Sequence, residues 1–289
     1  MTGQAAAQTI EDIILRRDAR SMHALRPHLR PDFCDDAARF LYHRTGPALV
    51  VTGFYILSGG AVETDGPPGA AAIGEALEAL GRQVVYVTDV HGGAIMRGLA
   101  PHAEVVEFPI ADMEQSRAFA AQLVERVRPA VAVAIERCSI TTQGLYRNMR
   151  SLDISAYTAK VDPIFDLVED SVGVGDGGNE IGMAVLAEQI RGVEALPDDP
   201  SATACSRLVI SSVSNWGGYG LVASLSKLAG RNLLPSVERE AQWVRTCVDL
   251  GGVDGSSGKP IASVDGFPLD ENSETLQILH DTLAAEGIR

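Results

Sequence analysis

From Pro47 onward the chain follows one rhythm: short β-branched apolar runs, each followed by an alanine- and leucine-rich stretch of helical length. Repeated βα units around a parallel sheet require that alternation, because two parallel strands can be joined only by a crossover, and a helix supplies it. The runs 48–52, 84–88, 103–108, 130–135, 171–174 and 207–211 are the expected strands. Several are apolar throughout, as strands covered on both faces should be. Residues 70–80, 113–127, 181–190 and 217–229 have helical length and composition, with Gly81 and Gly230 placed as stops. The expected class is α/β: a largely parallel sheet in an α/β/α sandwich, preceded by an N-terminal helical arm.

That arm is residues 1–44, where Thr9 can cap a helix over 10–17 and a second helix over 34–43 follows Pro31-Asp32. It reads as an arm or lid, outside a catalytic α/β domain at 45–289. Lys and Arg total 24 against 38 Asp and Glu, a formal charge of −14. Such a field repels phosphate backbones and anionic headgroups, so neither nucleic acid nor a membrane surface is an expected partner. Residues 1–10 lack the charged and apolar regions of a secretory leader, and no apolar run is long enough to span a bilayer. A cytoplasmic location is expected, with a homo-oligomer left open. Cys34, Cys138, Cys205 and Cys247 lie far apart without a Cys-x-x-Cys pair, which argues against a zinc site or a disulfide framework.

Acidic and amide side chains recur just after the expected strands: Glu63 and Asp65, Asp89, Glu136, Asp176 and Glu180, and Asn215. In open parallel sheets ligands bind outside the carboxyl ends of the strands, at a topological switch point, so these residues are expected to converge. Two carboxylates about 5 Å apart repel by roughly 3 kcal/mol at an effective dielectric near 20. Several together must protonate or bind a cation. Oxygen donors without thiolates or paired histidines suit Mg²⁺, Mn²⁺ or Ca²⁺ over zinc.

Two motifs carry most of this chemistry. In Glu63-Thr64-Asp65-Gly66-Pro67-Pro68-Gly69, both acids of an extended segment point to one side, and a proline suits the first helical turn. The N–H groups after it are expected to be free for an anionic ligand. Gly173-Val174-Gly175-Asp176-Gly177-Gly178-Asn179-Glu180 matches the G-x-G-x-x-G dinucleotide fingerprint in form, yet it is not in the first βα unit, and Asp176 would face a pyrophosphate with charge of the wrong sign. Asp176, Asn179 and Glu180 instead offer three oxygen ligands, with Gly177 and Gly178 as substrate-contacting backbone. Asn148, Arg150 and Asp153 form a polar cluster in which Arg150 could grip a substrate carboxylate. A second glycine-rich acidic loop, Gly251 to Lys259, presents Asp254 and Lys259. Glu136-Arg137 is also readable as a local ion pair.

At these residues the sequence resembles the C-terminal region of D-glutamate cyclases, a region also found as stand-alone proteins in bacteria and archaea. The resemblance runs from about Leu49 to Phe267. Its carriers are Glu63 to Gly69, Val87-Thr88-Asp89, Ile135-Glu136-Arg137, Asn148-Met149-Arg150 with Asp153-Ile154-Ser155, Gly173 to Gly182, and Val253-Asp254-Gly255. Two positions depart from the family pattern: Cys138-Ser139 stands where a Pro-Gly pair is expected, and Ser151 where glycine is expected. Animal members carry an additional N-terminal region.

The resemblance implies an α/β lyase that closes D-glutamate to 5-oxo-D-proline with loss of water, using Mg²⁺ or Mn²⁺. Carried onto this chain, the metal ligands are Glu63, Asp65, Asp176 and Glu180 or Asn179, with Asp89 or Glu136 as base and Asp254 a further catalytic candidate. Arg150 or Lys259 would orient the α-carboxylate, with Asn148, Asp153, Gly177, Gly178 and Asn215 around the substrate. Two rival readings remain for the same acids: a metal-dependent phosphohydrolase, and a non-catalytic module that binds metal or an amino acid.

Overall fold

The computed structural model describes residues 8–289, so residues 1–7 of the expected arm and leader-free N-terminus lie outside the described residues. Six strands form one wholly parallel sheet: β1 (Ala48–Thr52), β4 (Val84–Thr88), β5 (Glu104–Glu107), β6 (Val131–Ile135), β7 (Ser171–Gly175) and β8 (Arg207–Ile210). Two antiparallel hairpins lie outside it, β2 (Tyr55–Ile56) with β3 (Ala61–Val62), and β9 (Ser263–Val264) with β10 (Phe267–Pro268). The expected strand positions are met to within a residue. Sheet order is β5-β4-β1-β6-β7-β8. The chain therefore builds outward from β1 in one direction and then returns to build in the other, which puts the switch point between β1 and β6.

Alternation within the fully buried strands makes three layers. Ala48, Val50, Val84, Tyr86, Val133 and Val174 face one core, with α1 (Ile10–Ile14), α2 (Phe33–Tyr42), α3 (Pro67–Ala79) and α4 (Gly93–Leu99) contributing to it. Leu49, Val51, Val85, Val87, Ala132 and Ala134 face a second core under α5 (Met113–Val127) and α6 (Pro163–Leu167). On the first face also pack α8 (Ser214–Ala229), α9 (Val237–Asp249) and α10 (Leu269–Ala285). Ile10, Ile13 and Ile14 of α1, held by a Thr9–Asp12 capping box, and Phe33 and Leu41 of α2 belong to this same core.

The helix expected over 181–190 is not formed. Gly182 has φ of +104° and pairs with the Ala204 region, so a helix can start only beyond it, as a 3₁₀ turn at Ala184–Leu186 and the short α7 (Ala187–Ile190). A right-handed helix cannot pass through that backbone angle. Helices α4, α6, α9 and α10 are not among those the sequence suggests.

Candidate active site

Loops leaving β1, β6 and β7 meet over the switch point. Asp65, Glu136 and Asp176 are each at most 5% exposed and present oxygens lying within 4.8 Å of one another. Glu136 and Asp176 line one pocket with Glu63, Glu180 and Asp265, roofed by Asn148 to Arg150, and Asp65 is not itself among the lining residues. The cavity is about 140 Å³, small beside the pockets that take drug-sized ligands, so it has room only for a small molecule.

Local sequence explains how each acid is held. Asp65 accepts the Asn215 and Ser214 backbone N–H groups at 2.7 and 2.8 Å, so it caps the N-terminus of α8 across 149 residues of sequence. Asn215 returns the bond: its Oδ1 accepts from Gly66 N and Gly69 N at 3.0 and 2.8 Å. The two helix starts thus satisfy each other. This corrects the expectation that the N–H groups after Asp65 are free for an anion, and it makes Asn215 a clamp between α3 and α8. Glu136 adopts φ of +43°, a strained angle for a non-glycine residue, at the end of β6. Gly66 permits its approach, since a Cβ there would sit 2.7 Å from the Glu136 Cβ. The Ser214 hydroxyl donates to Glu136 Oε2 at 2.5 Å.

Burial, with the neighbouring acids, pushes the Glu63, Glu136 and Asp176 carboxyls above their ordinary range, and burial alone raises Glu180 against the hydrogen bonds and the Arg20 charge that favour its ionised form. Asp65 is raised to about 7 by burial and by Asp265, against the backbone N–H groups that favour its charge. A raised folded pKa means that the native state holds its proton more tightly than the unfolded chain. Stability contributed by Asp65 is therefore present near pH 4 and is lost as pH rises to about 7. Asp176 Oδ2, Glu180 Oε2, Asn179 Oδ1 and Asp265 Oδ1 are buried and without a hydrogen-bond partner among the described residues. Orphaned oxygens clustered with acids are the donor set of a hard divalent ion, and the cluster could hold one.

Other candidates are placed elsewhere. Asp89 pairs with Arg137 at 2.8 Å, both side chains buried, and Arg137 also donates to the carbonyls of Gly53 and Ala159 at 2.7 Å each. Arg137 therefore does not pair with Glu136, and Asp89 is occupied as a structural counter-ion instead of reaching the pocket. Asp254 spends its oxygens on Ser257 N and Gly266 N, holding its own loop against β9–β10. Lys259 is exposed and does not line the pocket. Asp153 is exposed and closes a turn with Ser155, while Asn148 accepts from Arg150 N and Leu152 N. Gly177 and Gly178 are buried turn residues; a Cβ on Gly177 would lie 2.6 Å from Met149 Sδ and 2.9 Å from Glu180 Oε1. Asn179 donates to the Arg147 carbonyl at 2.9 Å, which ties the β7 loop to the roof. Ser151 has φ of +58°, the left-handed region that glycine fills without strain, which accounts for the glycine expected there.

Three participants escaped the sequence. Asp265 sits in the turn between β9 and β10, far from any strand of the main sheet. Asp162 gathers the hydroxyls of Ser139, Tyr146 and Thr203 and so pins the long loop after β6 that carries the roof. Arg20, in the segment taken for an outlying arm, reaches into the pocket and bonds Asp176 Oδ1 at 2.6 Å and Asp265 Oδ2 at 2.8 Å. The arm is thus part of the site.

A doubly wound α/β chain with a small, carboxylate-lined pocket at its switch point defines the class of protein: one with a buried acid cluster that could hold a divalent ion. A family described as D-glutamate cyclase-like, C-terminal, matches residues 10–280, and the chain belongs to that family. It is 30% identical over 269 residues to a human protein, "D-glutamate cyclase, mitochondrial", covering 78% of this chain and 43% of the relative. The chain thus spans less than half the length of that relative. Among the described residues no helix is long and apolar enough to cross a membrane.

Proposed function

We propose that this protein binds Mn²⁺ or Mg²⁺ at Asp65 and Asp176, with Glu63, Asn179 and Glu180 beside them and Glu136 left for proton transfer, and cyclises D-glutamate to 5-oxo-D-proline with loss of water. The observation that carries the reading is the buried cluster of acids and unpartnered oxygens lining one small pocket in a chain of this family. A bound divalent ion supplies Lewis acidity at the γ-carboxyl group. The rest of the chemistry falls to the chain. The amine nitrogen forms a bond to the carbon of the γ-carboxyl group, one carbon–oxygen bond of that group breaks, and the ammonium's two surplus protons leave with that oxygen as water. Glu136, oriented by the Ser214 hydroxyl, carries protons from the nitrogen to the departing oxygen. Arg150, at the pocket mouth, offers charge to the amino-acid substrate.

The deciding experiment is chromatographic detection of 5-oxoproline from D-glutamate with Mn²⁺, with L-glutamate and a phosphate ester as controls. Turnover of the ester alone would establish a phosphohydrolase, and metal binding without any turnover would establish a binding module. Because the ion must displace protons from carboxyls raised by burial, its affinity rises with pH, and Asp65 contributes to that rise up to about 7. Each proton displaced is about tenfold in apparent affinity per pH unit. Calorimetric titrations with Mn²⁺ at about pH 5.5 and about pH 7 read this directly; equal affinities would remove the neutral carboxyls from the account.

A further inference from the structure

A pocket lined by Glu63, Glu136, Asp176, Glu180 and Asp265 repels an anion, so a carboxylate substrate needs a fixed cation as well as a metal. Among the described residues that line it, only Arg20 and Arg150 carry positive charge. Arg150 is exposed at the rim. Arg20 is different. Its two terminal nitrogens are each fixed on one carboxylate, Asp176 and Asp265, which leaves the planar guanidinium oriented in the pocket wall. Arginine has five N–H donors, and the side chain of Arg20 has no other protein partner among the described residues. The two acids that hold it keep their second oxygens, Asp176 Oδ2 and Asp265 Oδ1, without partners, so holding Arg20 and offering an oxygen to an ion are compatible.

We propose that Arg20 is the carboxylate-recognition residue of this site: it takes the α-carboxylate of the amino-acid substrate on its remaining donors while Asp176 and Asp265 hold it in place. The assignment rests on the reading of the pocket as an amino-acid site. It also gives the N-terminal segment a specific task, because the other cation among the lining residues, Arg150, is exposed at the rim. Burial opposes the charge on Arg20, and Asp176, Asp265, Glu136 and Glu63 hold it in the charged form. The guanidinium is therefore a permanent cation across the working pH range.

The test pairs a residue with a substrate group. Calorimetry in the presence of Mn²⁺ measures binding of D-glutamate and of 4-aminobutanoate, which has the amine and the distal carboxylate but no α-carboxylate, to the wild type, Arg20→Ala and Arg20→Lys. A charge-assisted, bidentate contact predicts that Arg20→Ala weakens D-glutamate by about 10- to 100-fold and leaves 4-aminobutanoate within about twofold. Arg20→Lys recovers part of the loss as a point charge. Mn²⁺ affinity in Arg20→Ala, titrated alone, stays equal or tightens, since a positive charge has been removed. Equal weakening of both ligands, no weakening of either, or weaker Mn²⁺ binding by the variant overturns the assignment, as does a metal-loaded wild type that binds neither ligand. Arg20-dependent binding of D-glutamate without formation of 5-oxoproline supports Arg20 and sinks the cyclase reading instead.

Discussion

Replacing Asp176 by asparagine lowers D-glutamate cyclisation at least about a hundredfold, which is roughly 2.7 kcal/mol of lost transition-state stabilisation. The side chain keeps its shape, so the effect isolates charge. Asp176 is 1% exposed, gives one oxygen to Arg20 and leaves the other without a partner beside Asp65 and Glu136. An amide there withdraws one negative charge from the cluster proposed to hold the ion and puts an N–H₂ where an acceptor is needed. The variant also has a signature that simple damage would not give. Burial raises the Asp176 carboxyl most, Arg20 opposes it, and Asp265, Asp65 and Glu180 add to it, so the net effect disfavours the charge and the metal-free variant should melt no lower than the wild type at neutral pH. A rate within about tenfold of wild type, measured as 5-oxoproline formed with Mn²⁺, would take Asp176 out of the reaction.

Asp89→Ala acts in the opposite way, on stability. Arg137 and Asp89 are 0% and 3% exposed and bonded at 2.8 Å, so the substitution leaves a buried guanidinium with carbonyl partners but no counter-ion. Breaking one partner of such a pair costs about 3–5 kcal/mol. Urea unfolding reads the loss, and calorimetry on the folded variant should return Mn²⁺ affinity close to wild type because Asp89 lies outside the cluster. A loss under about 1 kcal/mol, near the value of exposed pairs, would mean that the pair does not hold the loop after β6. Asp89→Asn that folds normally but abolishes cyclisation would restore Asp89 as the base.

The contrast between Asp89 and Glu136 shows where sequence reasoning stops. Both are acids at the end of an apolar run, Val84–Thr88 and Val131–Ile135, and nothing in either run ranks one above the other. Their fates are set by the order of strands. β1 lies between β4 and β6, so Arg137, just past β6, reaches across to Asp89 and leaves Glu136 facing the pocket with Ser214. The helix expected over 181–190 fails for a more local reason, the positive φ at Gly182, which composition alone does not announce.

The sequence by itself determined the strands, the α/β class and the set of acids at the carboxyl ends, because apolar runs, prolines at helix starts and glycine stops act over a few residues through local sterics and burial. It also determined that these acids would have to protonate or bind a cation, since their like charges repel wherever they meet. Only the tertiary structure decided which acids meet. Asp65 is tied to Ser214 and Asn215 across some 150 residues, Asp265 enters from a small hairpin, and Arg20 enters from the segment before the sheet begins. Each of these contacts depends on how whole layers pack, and packing between distant elements leaves no periodic trace in the residues that finally touch.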